Sequence, residues 1–412
     1  DMTEPPAIPA GTSGEEDPRR LRRALIALCI TEITSWGVLY YAFPVMLDSL
    51  TRATGWSAGT ALSAFSTGLL VSAACGVVVG RLLERYGPRP VMTTGSVLGV
   101  AALLGVVSAS SLPWFFAAWA GVGVAQSMLL YPPAFAALTH WYGPRRVRAI
   151  TTLSLVAGLA STVFAPPTAA VVAELGWRKT YLVLAVLLGV VTIPLHAVFL
   201  TPRWRTDGHR RQQERRTPAI RATVGSRAFA CLAISMALAA FGLYGATVNL
   251  VPLLTGRGIS NTLAAIALGL IGAGQVLGRL GYPALTRRTS ARTRTVAVMT
   301  IGAITIAVLG LLPGPVAAVI VVAICAGAAR GTYTLLQATA VSDRWGTRHY
   351  AVLNGIAIAP ATAAMALGPA GTALLANHLG GYPAAFCLVA ALILAGACTA
   401  SGTATSRTSP PS

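Results

Sequence analysis

Charge is scarce in this chain. Asp, Glu, Lys and Arg make up 10% of 412 residues, where a water-soluble domain carries about 25%. Hydrophobic residues reach 55% and mean hydropathy is +0.68, which excludes an ordinary soluble fold. The charge present is one-sided, with 31 basic against 12 acidic residues and a net +19. Such a balance suits a nucleic-acid binder, yet the arginines lie in short clusters between apolar runs and build no basic domain, so nucleic acid is not an expected partner. Six cysteines, all inside apolar runs and none in a CxxC pair, read as small core residues, not as a disulfide frame or metal site. His196, the only histidine deep in an apolar run, has no ligand set beside it. Gly55-Trp56-Ser57-Ala58-Gly59 has the spacing of a hydrolase nucleophile elbow, but no strand precedes it, and Ser57 reads as a helix cap. No P-loop for ATP and no convergent His, Asp or Cys constellation is present, so neither a cofactor nor an enzyme activity is expected.

Apolar runs dominate instead. A bilayer core takes about 20 apolar residues per helix, and twelve runs qualify: 24–47, 57–82, 90–110, 113–138, 149–173, 179–200, 228–253, 261–285, 294–312, 315–339, 350–375 and 382–402. With the N-terminus inside, inner loops and tails hold 25 of the 31 basic residues. Outer loops hold four (Arg52, Arg178, Lys179, Arg257) and the spans two, Arg279 and Arg330. The positive-inside rule then predicts a multi-pass protein of the cell inner (plasma) membrane with both termini cytoplasmic.

The second half repeats the first. Gly80–Arg89, GRLLERYGPR, has a decayed copy in Pro283–Arg292, PALTRRTSAR; Leu82, Arg85 and Arg89 match Leu285, Arg288 and Arg292 at a shift of 203. A like-oriented duplication predicts two bundles related by an axis along the membrane normal. The expected division is a disordered cytoplasmic tail over 1–23, a first six-helix bundle over 24–200, a cytoplasmic linker over 201–227, a second bundle over 228–402 and a cytoplasmic tail over 403–412. The linker is arginine-rich without apolar periodicity, and anionic lipid is its candidate contact.

These residues resemble the major facilitator superfamily, whose inner-loop signature is G-x-L-x-D-R-x-G-R-R. Gly80, Leu82, Glu84, Arg85, Gly87 and Arg89 fit it, with Glu84 for the usual Asp and Pro88 for a basic residue. Tyr41-x-Phe43, Gly55-Trp56-Ser57, Trp141-Tyr142-Gly143 with Arg145, Arg146 and Arg148, Gly176-Trp177-Arg178 and Gly278-Arg279 are similar to its bacterial monocarboxylate transporter-like branch. The resemblance implies an all-α membrane protein, monomeric, with twelve transmembrane helices in two pseudo-symmetric six-helix bundles, and a central cavity lined by spans 1, 4, 7 and 10. It also implies a gating role for Gly80, Glu84, Arg85, Gly87 and Arg89. Glu84 would pair with arginines of adjacent loops while the carrier is open outward and release them to open inward. The plainer alternative is a cluster that only sets topology. The second copy has Arg287 where Glu84 stands, so a latch there must be weaker or different.

An ionisable residue at mid-membrane costs on the order of 3 kcal/mol, so each needs a reason. Glu32 lies about 12 Å into the first span at 1.5 Å per residue, and Arg279 and Arg330 lie at similar depth. Glu32, Trp36 and Tyr40 recur at i, i+4, i+8 on one face. Arg330, Thr334 and Gln337 share another, with Tyr333 nearby, and Gln275 stands one turn from Arg279. Gln126, Tyr131, Tyr244 and Asn249 add polar groups on spans 4 and 7. The resemblance makes Arg279 the substrate-binding arginine, and a guanidinium is a forked, permanently charged partner for a carboxylate. The animal members carry an acid one turn before it, where this chain has Gln275. Glu32 is then the candidate proton carrier; the competing reading is a permanent ion pair with Arg330 or Arg279.

The function expected is secondary active transport of a small organic anion, a monocarboxylate, by alternating access with a proton. The alternative in the same class is a proton-driven exporter of drugs or metabolites, served by Trp36, Tyr40 and Tyr244. A sensor of another class would need an appended signalling domain, and none is visible.

Overall fold

Proline, glycine and serine punctuate twelve membrane crossings. The computed structural model describes residues 17–204 and 211–403, and no strand occurs among the described residues. Residues 1–16, 205–210 and 404–412, which carry most of the expected tails and part of the linker, lie outside the described residues. Span 1 runs Pro18–Trp36, passes through a π turn at Gly37–Tyr41 and resumes over Ala42–Thr54. Span 2 is Ala58–Tyr86 and span 3 Pro88–Val107. An 88-residue apolar stretch, Leu112–Phe199, makes spans 4, 5 and 6. It turns at Gly143 (φ 49°) and Gly176 (φ 72°), conformations that cost glycine little. The second half comprises span 7 (Arg227–Val248 and Leu250–Thr255), span 8 (Asn261–Arg288), span 9 (Ala291–Leu311), span 10 (Val316–Trp345), span 11 (Tyr350–His378) and span 12 (Tyr382–Ala400).

Serines start several of these helices by accepting an otherwise orphaned amide. Ser57 accepts from Thr60, Ser226 from Phe229, Ser260 from Leu263 and Ser290 from Thr293. Two arginines at the opposite end from the arginine-rich loops close helix ends instead. Arg178 donates to the carbonyls of Val107 and Ala109 at the end of span 3. Arg257 donates to those of Leu309, Gly310 and Leu312 at the end of span 9. A cation at a helix C-terminus satisfies both the free carbonyls and the dipole, so these charges are accounted for structurally.

Spans 1–6 pack chiefly on one another, as do spans 7–12. Between the two groups, span 2 runs along span 11. The remaining extensive contacts involve the arginine-rich ends: Arg146–Ala157 of span 5 with spans 8 and 10, and Tyr131–Tyr142 of span 4 with spans 10 and 11. The halves therefore meet at the end where the arginine-rich loops cluster. Within the segment read as a linker, Arg211–Val224 is helical. Ile220 and Val224, one turn apart on the same face, pack this helix on the bundle core.

Candidate functional site

Three of the four cavity helices are interrupted, each for a readable reason. In span 4, Pro132 and Pro133 remove two consecutive amide donors, so the helix stops at Leu129, passes through an extended Leu130 and restarts at Tyr131. In span 7 the helix breaks at Asn249, whose side-chain amide donates to the carbonyls of Gly245 (2.8 Å) and Pro369 (2.9 Å). In span 1 the π turn inserts one residue, and the buried Gln126 secures it by donating to the Leu39 carbonyl at 2.9 Å. Span 10 crosses unbroken. Discontinuous helices at mid-membrane are the usual frame of a carrier's binding site, and π turns concentrate at functional sites.

The π turn changes which residues face inward. Helical spacing puts Trp36 and Tyr40 on one face; the extra residue brings Tyr41 round as well. Trp36 lies 5.3 Å from Tyr40, 6.2 Å from Tyr41 and 4.9 Å from Tyr131, ring centre to ring centre. Tyr131 stacks on Phe135 at 4.8 Å. Trp36, Tyr131, Tyr244, Thr334 and Gln337 line a cavity of about 100 Å³ between the halves, space for several waters or a small organic ion. Its remaining wall comes from Ser72, Ala73 and Gly76 of span 2 and Gly355, Ile358 and Thr362 of span 11, among others. Sequence reasoning missed Tyr41 and these two helices.

Not every polar residue on the cavity helices turns to the cavity. Gln126 and Asn249 spend their amides on backbone carbonyls as described. Tyr333 is fully buried, donates to the Met236 carbonyl at 2.6 Å, and accepts from Gln337 at 2.9 Å. Gln275 is half-buried on span 8, where its backbone packs against Gly331 of span 10.

The charged residues are held apart. Arg330 stacks on the cavity-lining Tyr244, Cζ 4.3 Å from the ring centre. Arg279 is buried and donates from Nη1 to the Ser154 carbonyl at 2.7 Å, while its Nε has no acceptor. Glu32 is fully buried, and neither of its oxygens has a hydrogen-bond partner; the Trp36 indole N–H faces the carboxyl without closing a bond. Tyr131 lies within electrostatic reach of both Arg279 and Glu32. Among the described residues Glu32 pairs with neither arginine, so the permanent ion pair is not formed in this conformation. No group of three or more potential metal ligands occurs among the described residues.

At the arginine-rich end, Oε1 of Glu84 accepts from the Val352 amide at 3.3 Å, in the first turn of span 11, where the helix dipole favours a negative charge. This partner is a backbone amide, which the signature does not foretell. Arg85 lies over the Tyr86 ring at 5.1 Å, and Arg85 and Arg89 are exposed. The two signature glycines permit close approach. A Cβ on Gly80 would stand 2.6 Å from the Ala351 carbonyl oxygen, and one on Gly87 (φ 81°) would stand 2.9 Å from Trp204. A second link between the halves was not legible in the motif. Asp343 at the end of span 10 binds Arg146 at 2.7 Å and Arg294 at 2.5 Å.

Two bundles of membrane-length helices meeting at one end around a shared cavity define a twelve-span membrane carrier. The chain belongs to the Major Facilitator Superfamily, whose model matches residues 26–359. It is similar to human (Homo sapiens) "Monocarboxylate transporter 11", 27% identical over 378 residues, covering 86% of this chain and 76% of that one. Its fold is that of the E. coli fucose:proton symporter FucP, with a TM-score of 0.74 at 12% identity over 93% of this chain and 98% of the other. The human organic anion transporter MFSD10 has the same fold, at a TM-score of 0.70 and 16% identity over 93% and 100%. The protein is therefore a transporter with multiple membrane-spanning helices.

Proposed function

We propose that this transporter carries a small organic anion, a monocarboxylate, together with a proton, by alternating access between the two bundles of 24–200 and 228–402. One observation carries the reading: neither Arg330, stacked on the cavity-lining Tyr244, nor Arg279, within electrostatic reach of the cavity-lining Tyr131, has a carboxylate paired to it among the described residues. A positive site at mid-membrane is costly when empty and is offset when an anion enters. Arg279, with an unused Nε, is the group for the carboxylate. Glu32 lies beside the cavity-lining Trp36 without an ion pair to break first, which suits it to take a proton from water or from the cargo acid in the cavity and to give it up again. Support for the cargo also comes from the relative named as a monocarboxylate transporter and, for coupling, from the fold neighbour named as a proton symporter. The arginine-rich end, with both termini, faces the cytoplasm on the positive-inside argument, and the protein works as a monomer in the cell inner membrane.

The exporter reading keeps one specific support, the apolar and aromatic share of the wall, Leu69, Phe135, Ile358 and Met365 included. Uptake of radiolabelled pyruvate, lactate and benzoate into proteoliposomes under an imposed pH gradient separates the two. Anion reading: uptake of at least one acid is expected, abolished in Arg279→Ala and uncoupled from the pH gradient in Glu32→Gln. Unchanged uptake in Arg279→Ala, or export of hydrophobic cations with no acid moved, rejects it.

A further inference from the structure

Arg279 is already engaged in this conformation, and the manner of its engagement has a function of its own. Its guanidinium leaves span 8 and crosses to span 5 of the other half. There the Ser154 carbonyl accepts both the Gly158 amide at 2.9 Å and Nη1 of Arg279 at 2.7 Å. A carbonyl has two lone pairs, so the acceptor is saturated. The space above it is shaped for the guanidinium. A Cβ on Gly158 would lie 2.0 Å from Nη1 and 3.3 Å from Cζ, so a residue with a side chain there would evict the arginine. Span 5 steps out of its helix at this point, between Ala157 and Ala160. The bond lies on Arg146–Ala157, the part of span 5 by which the halves touch.

We propose that Ser154 and Gly158 form a notch that docks Arg279 while the carrier is empty, and that an incoming carboxylate empties the notch. The second clause rests on the anion reading above; the first does not. A carboxylate that takes the guanidinium fork forms charge-assisted paired bonds, which outcompete one neutral carbonyl. Docked in the notch, Arg279 is not part of the cavity wall, so a carboxylate in the cavity takes its free Nε–Nη2 edge only when the guanidinium swings out and Nη1 leaves Ser154. Binding and release of span 5 from span 8 are therefore one event, and this supplies the differential affinity that a ligand-driven change of state requires. Ser154 and Gly158 act as positioning residues that set when Arg279 is available.

The test is hydrogen exchange, read by mass spectrometry on the full chain in lipid nanodiscs, with and without millimolar pyruvate. Gly158→Ala and Arg279→Gln should each speed exchange in peptides from 146–157 and 280–288 by about tenfold without any ligand, the scale of one lost charge-assisted bond. Pyruvate should move the wild type in the same direction and leave Arg279→Gln where it is. Unchanged protection in Arg279→Gln, or in a monodisperse Gly158→Ala, overturns the notch; if Gly158→Ala is not monodisperse, Arg279→Gln alone decides. Two open variants beside a wild type indifferent to pyruvate would uphold the notch and overturn the carboxylate trigger.

Discussion

Asp343 and Arg146 form an ion pair across the two halves, Oδ1 to Nη2 at 2.7 Å, and the same carboxylate holds Arg294 of its own half through Oδ2. Arg146 also donates from Nε to Ser342 at 3.2 Å. The start of span 11 is met by Glu84 of the first half. The duplicated position at the end of span 8 is Arg287 and offers no acid for the start of span 5. Asp343, from the neighbouring span 10, supplies it. Each half thus extends one carboxylate to the first turn of a helix in the other.

Removing that carboxylate leaves two arginines facing each other. Arg294 is 4% exposed and Arg146 17% in the pair, so solvent screens only part of the repulsion. Asp343→Asn should cost about 2 kcal/mol, below the 3–5 of a fully buried broken pair. A double-mutant cycle with Arg146→Met, read by thermal unfolding in nanodiscs, should give a coupling above about 1 kcal/mol. A coupling near zero would show that the pair does not hold the halves together.

Glu84 acts on a helix start, so its acceptor atom and its charge can be separated. Glu84→Gln keeps an oxygen for the Val352 amide but loses the charge that the span 11 dipole favours; Glu84→Ala loses both. The expected order of hydrogen exchange at the first turn of span 11 is wild type slowest, Gln intermediate and Ala fastest, with about 0.5–2 kcal/mol between the extremes. Equal rates in all three would show that the signature carboxylate does not support this end of the helix.

Gln126 stabilises the π turn that brings both Tyr40 and Tyr41 inward. Gln126→Leu would leave the Leu39 carbonyl without its donor in a buried setting, a loss of about 1–3 kcal/mol. A lower melting temperature should come with a changed near-ultraviolet circular dichroism spectrum, because the tyrosine rings move. A normal spectrum in a destabilised variant would mean that the turn forms without Gln126.

The crossings were legible because lipid demands long apolar runs, and a fold in water has little use for runs of that length. Arg279, Arg330 and Glu32 stood out for the same reason: charge is expensive there, and expense is visible in a sequence. Residues such as Gln126, Asn249 and Tyr333 were harder to read. A polar side chain on a cavity helix can face the cavity or satisfy a broken backbone, and only the position of the break decides. The π turn, which rotates Tyr41 into the site, has no signature in Gly37–Tyr41 itself. It depends on an amide 87 residues further along the chain. Asp343 escaped notice because its partners are distant in sequence and no repeat marks it.

Spans 2 and 11 cross at facing glycines whose tolerance should be unequal. A Cβ on Gly355 would stand 2.6 Å from the Gly76 carbonyl oxygen, whereas one on Gly76 would stand 3.7 Å from that of Gly355, an ordinary contact. Gly80, one turn along span 2, resembles Gly355, with the Ala351 oxygen 2.6 Å away. Backbone cannot step aside as a flexible side chain can. Gly355→Ala and Gly80→Ala should therefore wedge the two helices apart, at about 1–3 kcal/mol each, and speed hydrogen exchange along the span 2 and span 11 contact. Gly76→Ala should leave both stability and exchange near wild type. Since Gly76 and Gly355 both line the cavity, a general effect of narrowing it would harm the two alike. Damage in Gly76→Ala equal to that in Gly355→Ala would thus trace the contact to cavity volume and not to backbone approach.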